Sequence, residues 1–374
     1  MGSLFNLTSS SDIAIDAASA NLKMVLGTYN RKSGIVEIEK ACIIPLETET
    51  IADGVIADQF GVVMALKNTL AKLDISSRRA IFSVEGSYLH SKDMDLPAVK
   101  LEQLNNMVQY EVIGQSNTNH DLIVEYIIYD TYIDEETKQP KYKIRATAIP
   151  KEIANDVRDL LKGGSLTPVA LDVNPNAIRK LFHSGMVNGH VNLEASTLLL
   201  IELSSKTTNI TVLNKGFPVL SRRLQFGHNN IRQTAESVKK LQSGASDKAS
   251  ILTRRLQVVK GEPTKPLEIS DIEVWNETVK EEPSLNIAVT TYFKSLTEAV
   301  SRTAQFSITK YNLDSISTCF IYGSGATYKK MDKELSRQLG TQVEVLTTLS
   351  SIIGPKDFVL AEYVNACGAL IREN

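Results

Sequence analysis

The sequence predicts a duplicated α/β fold, with an interrupting segment in each copy. Two observations carry that reading. A succession of strand, small polar turn, strand and helix near the N-terminus begins again at about residue 197, and each copy is interrupted by a further segment. At 374 residues the chain is also long enough for two or three units that each bury a core.

Taken in order, residues 12–28 and 34–45 alternate apolar and polar across "NRKSG", which is a β-hairpin pattern. A helix is expected at about 58–73, where apolar residues recur at helical spacing. "RRAIFSVEG" (78–86) reads as a strand, and 100–114 as an amphipathic helix followed by a polar loop. Strands at 122–133 and 141–150, a helix at 151–164, and a strand and helix within 169–182 close the first half. In the second half, 197–227 reads as three strands joined by a small polar turn and a turn at Gly216. Helices and a charged, proline-bearing stretch fill 229–292, with a long helix expected at 296–311 and a strand in "STCFIYGSGA" (317–326). A helix, a strand and a helix end the chain.

Composition narrows the function classes. With 43% hydrophobic and 22% charged residues and a formal charge of −2, no global field draws nucleic acid or anionic lipid. The longest apolar runs, such as "STLLLIEL" (196–203), have strand length and fall far short of a membrane span. The first residues, "MGSLFNLTSSS", lack the basic head and long apolar segment of a signal peptide. Cys42, Cys319 and Cys367 are far apart in apolar contexts, as expected of reduced, buried small hydrophobes rather than a disulfide or metal site. The five histidines show no ligand spacing.

Four stretches, in order, carry a family likeness. They are the hairpin turn Asp16-Ala17-Ala18-Ser19-Ala20-Asn21-Leu22-Lys23, "DGVIADQFGVVMALKNTLAKL" (53–73), "DLPAVKLEQLNNMVQYEV" (95–112) and "AIPKEIANDVRDLLKGGSLTPVALDV" (148–173). Together they resemble the type IV pilus assembly protein M (PilM) family, which is related to the cell-division protein FtsA. The resemblance implies the actin-like (ASKHA, ribonuclease H-like) fold, with two lobes around a cleft and a small α+β subdomain inserted in the first lobe. The likeness divides the chain into a first actin-like subdomain (1–77), an inserted small subdomain (78–165) and a return segment (166–194). The second subdomain follows in two parts (195–228 and 315–374) around an outer lobe (229–314).

The resemblance implies a nucleotide held between two hairpins, with ATP and Mg²⁺ as the cofactors. In such a site each hairpin turn offers backbone N–H groups to the phosphates, and glycine lets the backbone come close. The implied contacts are Asp16, Ser19 and Lys23 on the first hairpin and Glu202, Thr207 and Thr208 on the second. Gly323, Gly325 and Ala326 lie on the adenosine side, and Asp16 would hold Mg²⁺ through water. Each of these also has a plainer reading. Asp16 and Lys23 suit a turn-capping carboxylate and a solvated lysine, and Glu202 suits a surface-facing strand residue.

Several positions depart from the family pattern together. Ala18 and Ser204 stand where the family has glycine, Glu202 where it has aspartate, and Asn174 where it has a glutamate suited to positioning water. An asparagine cannot accept a proton from water, and loss of a positioned base typically costs on the order of 10²–10⁴ in rate. The expectation is therefore a scaffold of type IV pilus or related type II secretion assembly, with nucleotide binding weak or lost and no assigned catalytic residue. The alternatives are an ATP-hydrolysing or sugar-kinase-like enzyme and an FtsA-like filament protein; the ending "YVNACGALIREN" reads as a core helix, against the basic amphipathic tail such a filament protein would carry.

By the same resemblance the partners are the cytoplasmic N-terminal tail of a PilN-like inner-membrane protein and other pilus assembly proteins, with no nucleic acid and no direct membrane insertion. The chain would be cytoplasmic and recruited to the inner face of the inner membrane. Tyr110 and Glu111, on the family's marked helix, are the partner-binding candidates. Residues 243–292, with Trp275, are expected to form an elaborated surface lobe.

Overall fold

The computed structural model describes residues 11–17, 21–47, 50–114, 121–242 and 283–373. Ser19 and Ala18, the polar loop at 115–120, and the segment with Pro263, Pro266 and Trp275 lie outside the described residues.

Two sheets with the same order form the frame. The first uses β1 (Asp12–Ala17), β2 (Asn21–Asn30), β3 (Ile35–Pro45), β6 (Arg79–Val84), β10 (Thr167–Val173) and β18 (Ile352–Ile353), in the order β10-β6-β1-β2-β3-β18. The second uses β13 (Thr197–Leu203), β14 (Thr208–Asn214), β15 (Phe217–Leu224), β16 (Thr318–Tyr322) and β17 (Val343–Val345), in the order β15-β14-β13-β16-β17. In both, the leading strand pairs antiparallel with the next strand on one side and parallel with a later strand on the other. The repeat read in the sequence is thus a repeat of topology.

Side-chain alternation sorts each strand into two faces. Ile13 and Ile15 point outward to α1 (Gln59–Lys72) and α3 (Lys151–Gly163), while Ala14 points inward. Leu199, Ile201 and Leu203 point outward to α5 (Asn229–Gln242), α6 (Pro283–Tyr311) and α7 (Met331–Leu339), while Leu198 and Leu200 point inward. The inner faces share one core with α4 (Asn174–Leu181) and α8 (Leu360–Leu370). These two helices cross where a Cβ on Gly368 would lie 2.3 Å from the Ala177 carbonyl oxygen, so only glycine fits the crossing.

The small sheet, ordered β7-β9-β8, is built from β7 (His90–Pro97), β8 (Leu122–Ile133) and β9 (Pro140–Pro150). The helix α2 (Leu101–Ile113) covers one of its faces through Leu104 and Val108 against Leu96, Ile144 and Ala146. Tyr129 stacks on Phe217 at 4.5 Å between ring centroids, and Arg145 donates to the Pro218 carbonyl at 2.6 Å. The small sheet therefore leans on the second lobe.

Three sequence expectations change. The separate small sheet occupies 90–150 rather than 78–165, because the fully apolar β6 is a central strand of the first sheet and α3 packs on that sheet's outer face. Residues 352–370 belong with the first sheet, since β18 pairs parallel with β3 and α8 lies against β1 and β2. The long helix starts at Pro283 rather than 296, which places Ser284, Ala288 and Tyr292 in the interior. Proline at a first helical position costs nothing, because the N–H it lacks has no intrahelical partner there.

Candidate functional site

Alternation also fixes where the acids go. Asp16 shares the inward face of β1 with Ala14, and Glu202 shares that of β13 with Leu198 and Leu200, so both point into the cleft from the C-terminal ends of equivalent strands. Asp16 is 1% exposed and Glu202 4%. A third acid, Glu85, follows β6 and joins them.

Three asparagine amides sit between these carboxylates. Asn174 Nδ2 donates to Asp16 Oδ1 at 3.1 Å and to Glu85 Oε2 at 3.5 Å. Asn209 Nδ2 donates to Glu85 Oε2 and to Glu202 Oε2, each at 2.7 Å. Asn365 Nδ2 donates to Glu202 Oε1 at 3.0 Å and to Asp16 Oδ2 at 3.2 Å. The Ser83 hydroxyl, donating to Asn174 Oδ1 at 2.6 Å, orients that amide, and the Ser204 hydroxyl reaches Glu202 Oε1 at 3.3 Å. Asn209 Oδ1 and Asn365 Oδ1 have no hydrogen-bond partner among the described residues.

The electrostatics follow from this crowding. Burial, and then the Glu202 charge, push the Asp16 carboxyl up to about 6, against Lys23 and the two amides. Burial, Glu202 and Asp16 push part-buried Glu85 up to about 8, against Arg223 and Asn209. Among the described residues, the cations bearing on these carboxyls are Lys23 and Arg223, and each has another partner. Lys23 Nζ lies 3.5 Å from Glu362 Oε2, and Arg223 donates to Asp53 Oδ1 at 2.8 Å across the cleft. Asp53 in turn accepts from the backbone N–H and hydroxyl of Ser87.

The second hairpin turn is closed from outside. Ser204 N–H donates to the Thr207 carbonyl at 3.0 Å, and the Ser204 and Ser205 carbonyls accept from His228 N–H and Asn229 N–H. A Cβ on Gly227 would come 2.3 Å from the Ser204 oxygen, so glycine is what lets this segment lie on the turn. Thr208 is buried, and its hydroxyl donates to the Phe226 carbonyl; Thr207 is also buried. After β16, Gly323 N–H donates to the Ala361 carbonyl, and Gly325 and Ala326 form the buried short turn that follows. His228 bridges that turn, with Tyr328 Oη 2.8 Å from Nδ1 and Ser324 Oγ 3.1 Å from Nε2. Burial, and next the Lys23 charge, bring His228 down to about 4, so the bridge is a neutral imidazole at physiological pH.

Asp16, Lys23, Glu202, Thr207, Thr208, Gly323, Gly325 and Ala326 therefore stand at the ends of β1, β2, β13, β14 and β16 or in the turns beside them. Sequence reasoning missed Glu85, Asn209, Asn365 and His228. All three acids accept from amides rather than facing a cation, and Lys23 lies against Glu362.

Tyr110 and Glu111 are on α2, which packs on the small sheet. Tyr110 is 77% exposed, whereas Glu111 Oε2 is held by Lys92 at 3.0 Å.

The family described as type IV pilus assembly protein PilM matches residues 14–254, well over half of the chain. The chain belongs to the PilM family. Two solved structures show the same fold. A PilM–PilN type IV pilus biogenesis complex matches with a TM-score of 0.70 and 14% identity, over 96% of this chain and 97% of that one. The ethanolamine utilization protein EutJ from Carboxydothermus hydrogenoformans matches with a TM-score of 0.50 and 13% identity, over 97% and 90%. The fold of this PilM-family chain is accordingly the actin-like one. No helix among the described residues is long and apolar enough to cross a membrane.

Proposed function

We propose that this PilM-family chain is a cytoplasmic scaffold for type IV pilus assembly, docked on the cytoplasmic N-terminal tail of a PilN-like inner-membrane protein. One observation carries the reading: the chain belongs to the PilM family, and a solved relative of the same fold is described as a PilM–PilN complex. The docking surface in this proposal is α2 of the small subdomain, where Tyr110, Leu101 and Ile113 are exposed. Tyr110 brings apolar area and one polar handle, which suits an anchor for an extended peptide. Glu111, engaged by Lys92, positions the helix against β7.

Nucleotide binding is weak or lost in this reading, and the chain is not an ATPase. The support is Asn174, buried and donating to two acids where a water-positioning carboxylate would be needed. A pull-down with the synthetic tail of the membrane protein encoded beside this chain tests the docking. Tyr110→Ala should weaken capture at least about fivefold, as loss of an exposed aromatic anchor does. Undiminished capture by that variant moves the site off α2. No capture by the unaltered chain refutes the partner.

A further inference from the structure

The three acids and three asparagines form a closed ring. Each amide nitrogen carries two hydrogens and gives one to each neighbouring carboxylate, so all six are used. The members come from separate elements. Asp16, Glu85 and Asn174 belong to the first lobe, Glu202 and Asn209 to the second, and Asn365 to α8. Asn209 to Glu85 is a direct bond between lobes, and Asn365 holds one acid from each. Arg223 to Asp53 repeats the crossing nearer the β4–β5 turn, formed by β4 (Ile51–Ala52) and β5 (Val55–Ile56).

We infer that this ring is a clasp that holds the two lobes closed through the chain's own side chains, occupying the carboxylates on which any cation-bearing ligand of the cleft would depend. Two facts make the clasp releasable rather than a fixed part of the core. The amide nitrogens are saturated while the buried oxygens Asn209 Oδ1 and Asn365 Oδ1 have no donor among the described residues. Water reaching an opened cleft would supply those donors and solvate acids that crowd one another, which offsets much of what opening breaks. The weakest link is Asn174 to Glu85 at 3.5 Å, and that bond lies within the first lobe, so it does not decide closure. The inference concerns the isolated protein and stands apart from docking on α2.

The test measures the distance between lobes in the purified full chain, stripped of nucleotide. Spin labels go on Lys67→Cys of α1 and Lys333→Cys of α7, both exposed, with Cys42→Ser removing the partly exposed native thiol. Unaltered at the ring, the chain should show one narrow distance distribution, and adding Mg²⁺-ATP should leave it unchanged. Asn209→Ser and Asn365→Ser each remove two bonds to buried carboxyl groups, and each should raise a longer-distance population about tenfold or more. Lys32→Ala, in the exposed turn between β2 and β3, should not. Asn209 is part-buried and its serine variant is the milder one, so it decides the matter if Asn365→Ser does not fold. A single unaltered distance in the natively folded Asn209→Ser variant overturns the clasp, as does a broad distribution in the chain with its ring intact.

Discussion

The two lobes use one strand order but fill equivalent positions with different chemistry. Asp16 faces Lys23 across β1 and β2 in the register where Glu202 faces Asn209 across β13 and β14. Four residues separate the paired strand ends in both hairpins, so Lys23 and Asn209 are counterparts. The first lobe keeps a cation there, and the second has an uncharged amide. An ammonium would neutralise one acid, whereas an amide bridges two. The difference explains why Glu85 and Glu202 come together through Asn209, while Lys23 can turn aside to Glu362. A duplicated frame conserves where side chains point, not what they do.

Adding a fourth acid should break the comparison most severely. Asn174→Glu, which restores the family's residue, would place a carboxylate between Asp16 and Glu85 at a position 6% exposed. An unfolding titration in urea at pH 7.5 should show a loss of about 3 kcal/mol, the cost of a buried charge without a counterion. At pH 5 the deficit should shrink, because the added carboxyl then holds a proton.

Asn209→Lys, which gives the second lobe the first lobe's cation, sharpens the comparison through pH. Glu85 takes its proton at about 8 in the folded chain against an ordinary 4.5, so the folded state holds more protons between those values. Stability from this group is full below about pH 4.5 and is lost as pH rises through 8. Unfolding free energy should fall by about 1–2 kcal/mol between pH 6 and pH 9, after allowing for the partial exposure of Glu85. In Asn209→Lys the ammonium beside Glu85 and Glu202 should flatten that slope. An equal slope in both proteins would mean Glu85 is not the group that titrates.

The smallest effect should come from the reverse exchange. Lys23→Asn leaves Glu362, 13% exposed at its side chain, without its cation, and should cost about 1 kcal/mol in thermal or chemical unfolding. Adding Glu362→Gln should recover part of it; no recovery would assign the loss to Asp16 instead.

The positions of Asp16 and Glu202 could be read from the sequence, because strand alternation alone sends both to the inner face. The main helices and the repeat were equally legible, through apolar spacing. The strand β7 was not, since "HSKDMDLP" is an edge segment whose packed face offers only Met94 and Leu96 as apolar residues, too short a run to show a period. Asn209 and Asn365 were invisible for a different reason. Asparagine carries no periodic signal, and Asn365 meets Asp16 across 349 positions of chain. Glu85 gave no sign beyond standing at the end of a strand. What makes these residues a site is a juxtaposition that only the closed pair of sheets creates.

The pairing of β18 with β3, and of α8 with β1 and β2, has a consequence for synthesis. The first lobe's earliest strands, at residues 12–45, are complete only when residues 352–370 arrive. At roughly 5–20 residues per second, a ribosome leaves the inner face of that sheet, and the edge of β3 at Val36 and Glu37, uncovered for roughly 15–70 s. An open strand edge is a template for unwanted pairing over that interval. Truncations ahead of residue 352, which lack β18 and α8, should therefore be recovered as aggregates rather than as a folded first lobe.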